Sequence, residues 1–208
     1  MSKFKIITFL FIIILISCRL VYSQSIKETF ELGKKAFYSD DFENANKLLA
    51  EILNRNSDSY EICLYKGLIY NIYFDYDKAI TEFTSAIEID GSKSDPYFNR
   101  ALVYDKQEKY NYAVEDYTMA IKKNKKLLDA YNNRATDYER LKQYDKAIND
   151  YSKIVKLNPS DDIAYYNRGL LYVQLNQKEK AAEDFEEAIR LDSIWEKELR
   201  GKINELKK

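Results

Sequence analysis

The 208-residue chain contains no histidine, and that limits the chemistry its other residues can perform. Histidine is the commonest general base and the commonest metal ligand, so no Ser/His/Asp or Cys/His nucleophilic site can be assembled. The two cysteines, Cys18 and Cys63, form neither a Cys-x-x-Cys motif nor a disulfide framework. No Gly-x-Gly-x-x-Gly and no phosphate-binding loop occurs. Adjacent carboxylates stand at Asp40-Asp41 and Asp161-Asp162, where acid–base work is conceivable. Both pairs fall in expected turns or helix starts, and there they read as caps and solvated polar groups. The reading is no catalytic residue, no metal and no cofactor. The net charge of -1 supplies no basic field for nucleic acid.

Charged residues that do recur are spaced for pairing. Arg100 and Asp116, Arg134 and Asp150, Arg168 and Asp184 are each 16 residues apart. Lys66 and Glu82 repeat the spacing, and Leu32 and Leu48 replace both charges at once. Positions that change together in this way are inferred to touch, in a structural role. As partly exposed pairs they are expected to contribute about 0–1 kcal/mol each.

The pairs belong to a longer period. Small residues stand at Gly33, Gly67, Ala101, Ala135 and Gly169, each 34 residues from the last, and Ala45, Ala79, Ala113, Ala147 and Ala181 keep the same step. Five gapless units follow: 26–59, 60–93, 94–127, 128–161 and 162–195. Within the fourth, Tyr131, Arg134, Ala135 and Tyr138 form one helical stripe, and Ala147, Tyr151 and Ile154 form another. The turn between them contains Gln143-Tyr144-Asp145, and Asn158-Pro159 ends the unit. With 2 prolines and 5 glycines, the chain has little to punctuate β-hairpins, so paired helices are favoured. Ser25-x-x-Glu28 and Ser193-x-x-Glu196 read as capping boxes for the first and last helices. In the last, Trp195, Leu199, Ile203 and Leu206 form an apolar stripe that would seal the array, giving a capping helix over 196–208.

An aromatic at position 4, Gly or Ala at 8, Tyr at 11, Ala at 20, an aromatic at 24, Ala at 27 and Pro at 32 make a pattern that resembles the tetratricopeptide repeat. Unit five carries it as Tyr165, Gly169, Tyr172, Ala181, Phe185 and Ala188. Unit one departs most, with Thr29, Ala36, Leu49 and Ile52, and Pro159 is the single proline at position 32. Unit two has Cys63 at position 4, a packing position that predicts a buried, inert thiol. Positions 4, 11, 17 and 24 also absorb most of the 19 tyrosines, so core packing rather than stacking on nucleic acid explains them. The resemblance implies an all-α, right-handed superhelical solenoid of five helix-turn-helix units over 24–195, plus the capping helix. It further implies a non-catalytic scaffold with a protein or peptide partner, held in a concave groove lined by the first helices.

Carried onto this sequence, the family's groove position 6 is Asn99, Asn133 and Asn167, and position 5 is Phe98, Asn132 and Tyr166. Asparagine both donates and accepts, so such a row would pair with the backbone of an extended peptide, with Phe98 and Tyr166 as apolar anchors. A role for the asparagines in helix pairing fits equally. The family's two-carboxylate clamp is absent: with Asn99 as its middle member, Lys and Asn would be needed where Leu64 and Leu68 stand.

The first 23 residues read as an address. Lys3 and Lys5 precede the apolar run Ile6 to Ile16, and Arg19 stops it short of a membrane span. Val21-Tyr22-Ser23 fits signal cleavage after Ser23, which removes Lys3, Lys5 and Arg19 and leaves a net charge of -4. Leu15-Ile16-Ser17-Cys18 resembles a bacterial lipobox, which implies cleavage before Cys18 and a lipid anchor on it. Both readings predict export to a bacterial periplasm or envelope, with membrane contact only through the lipid of the second.

Overall fold

The computed structural model describes residues 25–55 and 59–207; the address segment, with Cys18, lies outside them. Among the described residues the chain forms eleven α-helices, one short 3-10 turn and no strand. It divides into two compact units, 1–91 and 92–208.

The first unit holds α1 (residues 25–38), α2 (Phe42–Leu53), α3 (Tyr60–Ile72) and α4 (Tyr76–Ile89). The helices pair α1 with α2 and α3 with α4, because the small residue of each first helix meets a large one of the second. A Cβ on Gly33 would lie 2.6 Å from Leu49 Cδ2, and one on Gly67 2.5 Å from Phe83 Cε1. Only hydrogen in place of a methyl lets the axes approach so closely. Ile26, Phe30, Leu49, Ile52, Ile62 and Ile69 form the core that joins the pairs.

The second unit holds α5 (Asp95–Lys106), α6 (Tyr110–Lys123), α7 (Leu128–Arg140), α8 (Tyr144–Leu157), α9 (Asp162–Gln174), α10 (Lys178–Leu191) and α11 (Glu196–Leu206). Each helix packs on the next, α5 with α6 through α9 with α10, and α11 closes on α10. Gly169 repeats the close approach, 2.6 Å from Phe185 Cε1. Where alanine stands instead, at Ala101 and Ala135, the second helices carry the buried Tyr117 and Tyr151.

The turn inside each pair has one geometry. Asp40, Phe74, Glu108, Lys142 and Asn176, 34 residues apart, all have φ between 55° and 61°. The next residue's N–H donates back to the carbonyl of Ala36, Tyr70, Tyr104, Tyr138 or Tyr172 at 2.7–3.0 Å, closing the first helix. Asp41 and Asp75 then cap the second helices by accepting from Asn44 and Lys78 N–H, and Asp161, between pairs, caps α9 by accepting from Ala164 N–H.

Neither predicted serine stands at the N-cap position. Ser25 is already helical, and its carbonyl accepts from Thr29 Oγ1. At the other end Asp192, not Ser193, accepts from Ile194 N–H, and residues Ser193–Trp195 make a 3-10 turn before α11. The aspartate one residue earlier is the better-placed acceptor for the exposed N–H groups. The apolar stripe of α11 does seal the end: Leu199 and Ile203 are buried, and Trp195 and Leu206 pack beside them.

Candidate functional site

The Arg and Asp side chains meet inside each pair of the second unit. Arg100 Nε and Nη2 donate to Asp116 Oδ2 and Oδ1 at 2.7 and 2.8 Å. Arg134 does the same to Asp150 at 2.8 and 2.6 Å, and Arg168 to Asp184 at 2.8 and 2.7 Å. The carboxylates are 5–8% exposed and the arginines 13–18%, so these pairs are bidentate and largely buried on the carboxylate side. Burial pushes the Asp150 and Asp184 carboxyls up, against the pull of their arginines. The free Nη1 of Arg134 donates to Thr118 Oγ1, and that of Arg168 to Ser152 Oγ, so each arginine also ties its pair to the preceding one.

In the first unit the corresponding residues differ. Lys66 is buried, and both Lys66 and Glu82 lie against Cys63, whose thiol is raised first by burial and then by Glu82. Leu32 is 58% exposed and shares a crevice of about 450 Å³ with Ala36 and Leu48.

The six groove residues find different surroundings. Asn99 Nδ2 donates to the Asp95 carbonyl of its own helix at 2.8 Å. Asn133 approaches the buried hydroxyl of Tyr117, and Phe98 lies against the ring of the same tyrosine, 5.8 Å between centroids. Asn167 is half-buried, and its side chain makes no hydrogen bond among the described residues. Asn132 is exposed beside a cavity of about 200 Å³ bounded by Ile154 and Ile163. Tyr166 stacks on Trp195 at 4.3 Å, and its hydroxyl donates to Glu198. Its ring is therefore engaged by the C-terminal end of the chain itself.

Sequence reasoning missed a charged cluster between α5 and α7. Arg140 Nη1 bonds to Asp105 and, at 3.2 Å, to Asp137 Oδ1. Asp137 is 0% exposed, and burial followed by the neighbouring Asp105 pushes its carboxyl up to about 7. The signal was present in the repeat: Ile69, Val103 and Leu171 occupy the equivalent buried position in other units. Tyr151 is satisfied differently, donating to Glu139 at 2.9 Å. Among the described residues no group of His, Cys, Asp or Glu is arranged to hold a metal ion.

The tetratricopeptide repeat family pattern matches residues 128–161 and 163–193. The crystal structure of MamA superposes with a TM-score of 0.69 at 23% identity, over 80% of this chain and 97% of that one. YrrB, described as a tetratricopeptide-repeat protein with an unusual peptide-binding site, gives 0.63 at 19% identity, over 83% and 92%. The chain has the tetratricopeptide-repeat fold. No curated protein sequence matches it significantly. At these identities the likeness establishes the fold, and leaves each groove residue to be judged on its own contacts.

Proposed function

We propose that this tetratricopeptide-repeat protein is a non-catalytic interaction scaffold of a bacterial envelope, holding a peptide or protein along the first helices of its repeats. The observation that carries the reading is the row at Asn99, Asn133 and Asn167. It repeats on α5, α7 and α9 with side chains only half-buried, on a fold whose Arg–Asp pairs are committed to holding helices together. The peptide-binding site ascribed to YrrB supports a groove of this kind. Export rests on Lys3, Lys5 and the apolar run that follows them. The Leu15-Ile16-Ser17-Cys18 run favours a second form of the same reading, a lipid-anchored subunit of an outer-membrane assembly or secretion complex. A diacylglyceryl mass on Cys18 in the mature protein distinguishes it from soluble export. A regulatory subunit of an envelope enzyme is the remaining form, and there catalysis would belong to another chain.

Affinity capture from envelope extract tests the scaffold. Residues 24–208 are compared with an Asn99→Ala, Asn133→Ala, Asn167→Ala variant of matched helicity and melting temperature. A specific partner held by the first and lost by the second is expected. The same partner on both would make the asparagines structural and place the site elsewhere.

A further inference from the structure

A buried departure from the repeat lies between α5 and α7. The position that holds Ile69, Val103 and Leu171, each at most 2% exposed, holds Asp137. Asp137 Oδ1 accepts from Arg140 Nη1 at 3.2 Å, but Oδ2 is buried with no donor, and a second carboxyl, Asp105, neighbours it. The groups facing the pair are Arg140 on α7 and Tyr110 and Tyr117 on α6. The Arg140 guanidinium lies over the Tyr110 ring at 5.0 Å. The Tyr117 hydroxyl is buried and raised first by burial, then by Asp137 and Asp105. One guanidinium therefore serves two carboxyls, and the pair lacks a cation whenever both are ionised. An uncompensated buried charge is strongly disfavoured, so an aspartate in place of an aliphatic must either hold a proton or receive a counter-charge from elsewhere. The cluster is open to it: the Asp105 and Arg140 side chains are 27% and 42% exposed.

We propose that Asp105 and Asp137 form a docking site for a basic side chain, Lys or Arg, of a peptide partner. The inference rests on the scaffold reading above and gives the chemistry of the partner. The arriving cation pairs with Asp105 at the surface and leaves Arg140 to Asp137. The cluster is then neutral with both carboxylates ionised. Below about pH 7 the Asp137 carboxyl holds a proton. Binding the cation sends that proton to solvent, so affinity rises with pH across this range. Glutamate or an apolar side chain at the same place would leave the missing charge unsupplied.

The full chain is titrated with fluorescein-labelled, amidated decapeptides that alternate Ser with Arg, with Glu or with Gly, at constant ionic strength. The Arg peptide is expected to bind about tenfold more tightly at pH 8 than at pH 6, the gain when a carboxyl titrating at about 7 must be deprotonated for binding. The Glu and Gly peptides should bind weakly at both. Asp137→Asn, which keeps the shape and removes the charge, should abolish the pH dependence, and Asp105→Asn should weaken binding at pH 8. Circular dichroism confirms that both variants fold. An Arg peptide that binds no better than the Gly peptide would overturn the proposal. So would a pH dependence unchanged in Asp137→Asn. Envelope capture separates the two readings. If a partner is captured while the Arg peptide does not bind, this site is wrong and the scaffold stands. If neither is held, both fail.

Discussion

At the residue scale, the Arg–Asp pairs show what position-by-position spacing can and cannot reveal. Joint replacement of both charges by Leu32 and Leu48 pointed to a contact, and the spacing of 16 residues recurs as bidentate hydrogen bonds. Burial was not legible, because it depends on the preceding pair: Thr118 and Ser152 reach across to complete the arginines. Burial changes the energetics. Removing one member of a buried pair strands the other, at about 3–5 kcal/mol, whereas an apolar pair of similar volume is nearly neutral. Arg134→Ala should therefore destabilise by roughly 3 kcal/mol in urea denaturation. Arg134→Leu with Asp150→Leu, which copies the pairing of Leu32 with Leu48, should recover most of that loss. If the double variant is as unstable as Arg134→Ala, the pair's worth lies in its charge. Asp137 is the opposite case, a carboxyl that folding disfavours in its charged form. Its folded value of about 7 lies above the 3.8 of an ordinary aspartate. The folded state thus holds a proton the unfolded chain has released, and stability falls as pH rises from about 4 to 7. Asp137→Val restores the aliphatic of Val103, and its melting temperature should exceed wild type by more at pH 8 than at pH 5. An equal difference at both would show that Asp137 does not titrate as its surroundings demand.

At the element scale, the 34-residue period was legible because helix, turn and helix recur in the same register, and α5 to α10 repeat at nearly that step. The turn geometry was not legible, since the left-handed position carries Asp40, Phe74, Glu108, Lys142 and Asn176, with no glycine to mark it. The chain accepts the conformation because the carbonyls closing each first helix bind the N–H groups beyond it. A left-handed residue with a Cβ is disfavoured by about 1–2 kcal/mol, partly offset by the greater freedom of glycine in the unfolded chain. Lys142→Gly should therefore stabilise by about 0.5–1 kcal/mol, and Lys142→Ala should change little. Phe74→Gly should gain more than Asn176→Gly, because asparagine tolerates this region and a bulky aromatic does not. Thermal melts of the four variants test the order, and a destabilising Lys142→Gly would mean that its side chain, exposed in this structure, contributes contacts that outweigh the strain.

At the scale of the molecule, the helical pairs of the second unit pack mainly on their neighbours in sequence, so stability should be distributed as a chain of local interfaces and not as one core. The repeat was plain in the sequence for that reason, since each unit must solve the same packing problem with the same residues. What the period could not show was how the last unit would be covered. Tyr166, which its position assigns to a groove, is held instead by Trp195 and Glu198, because the 3-10 turn and α11 pack against the α9–α10 pair. Leu199 and Ile203 are the buried anchors of that cover. Truncating each to alanine removes about 2–5 kcal/mol of local packing. In a chain of nearest-neighbour interfaces the loss should be felt first where α11 rests. Hydrogen exchange of the Leu199→Ala, Ile203→Ala protein should show lowered protection in α10 and α9 and unchanged protection in α5 and α6. Equal loss from Asp95 to Leu191 would mean instead that the second unit opens as one cooperative body. In that event the groove residues on α5, α7 and α9 would order and loosen together, and a ligand bound at any one of them would be felt at all three.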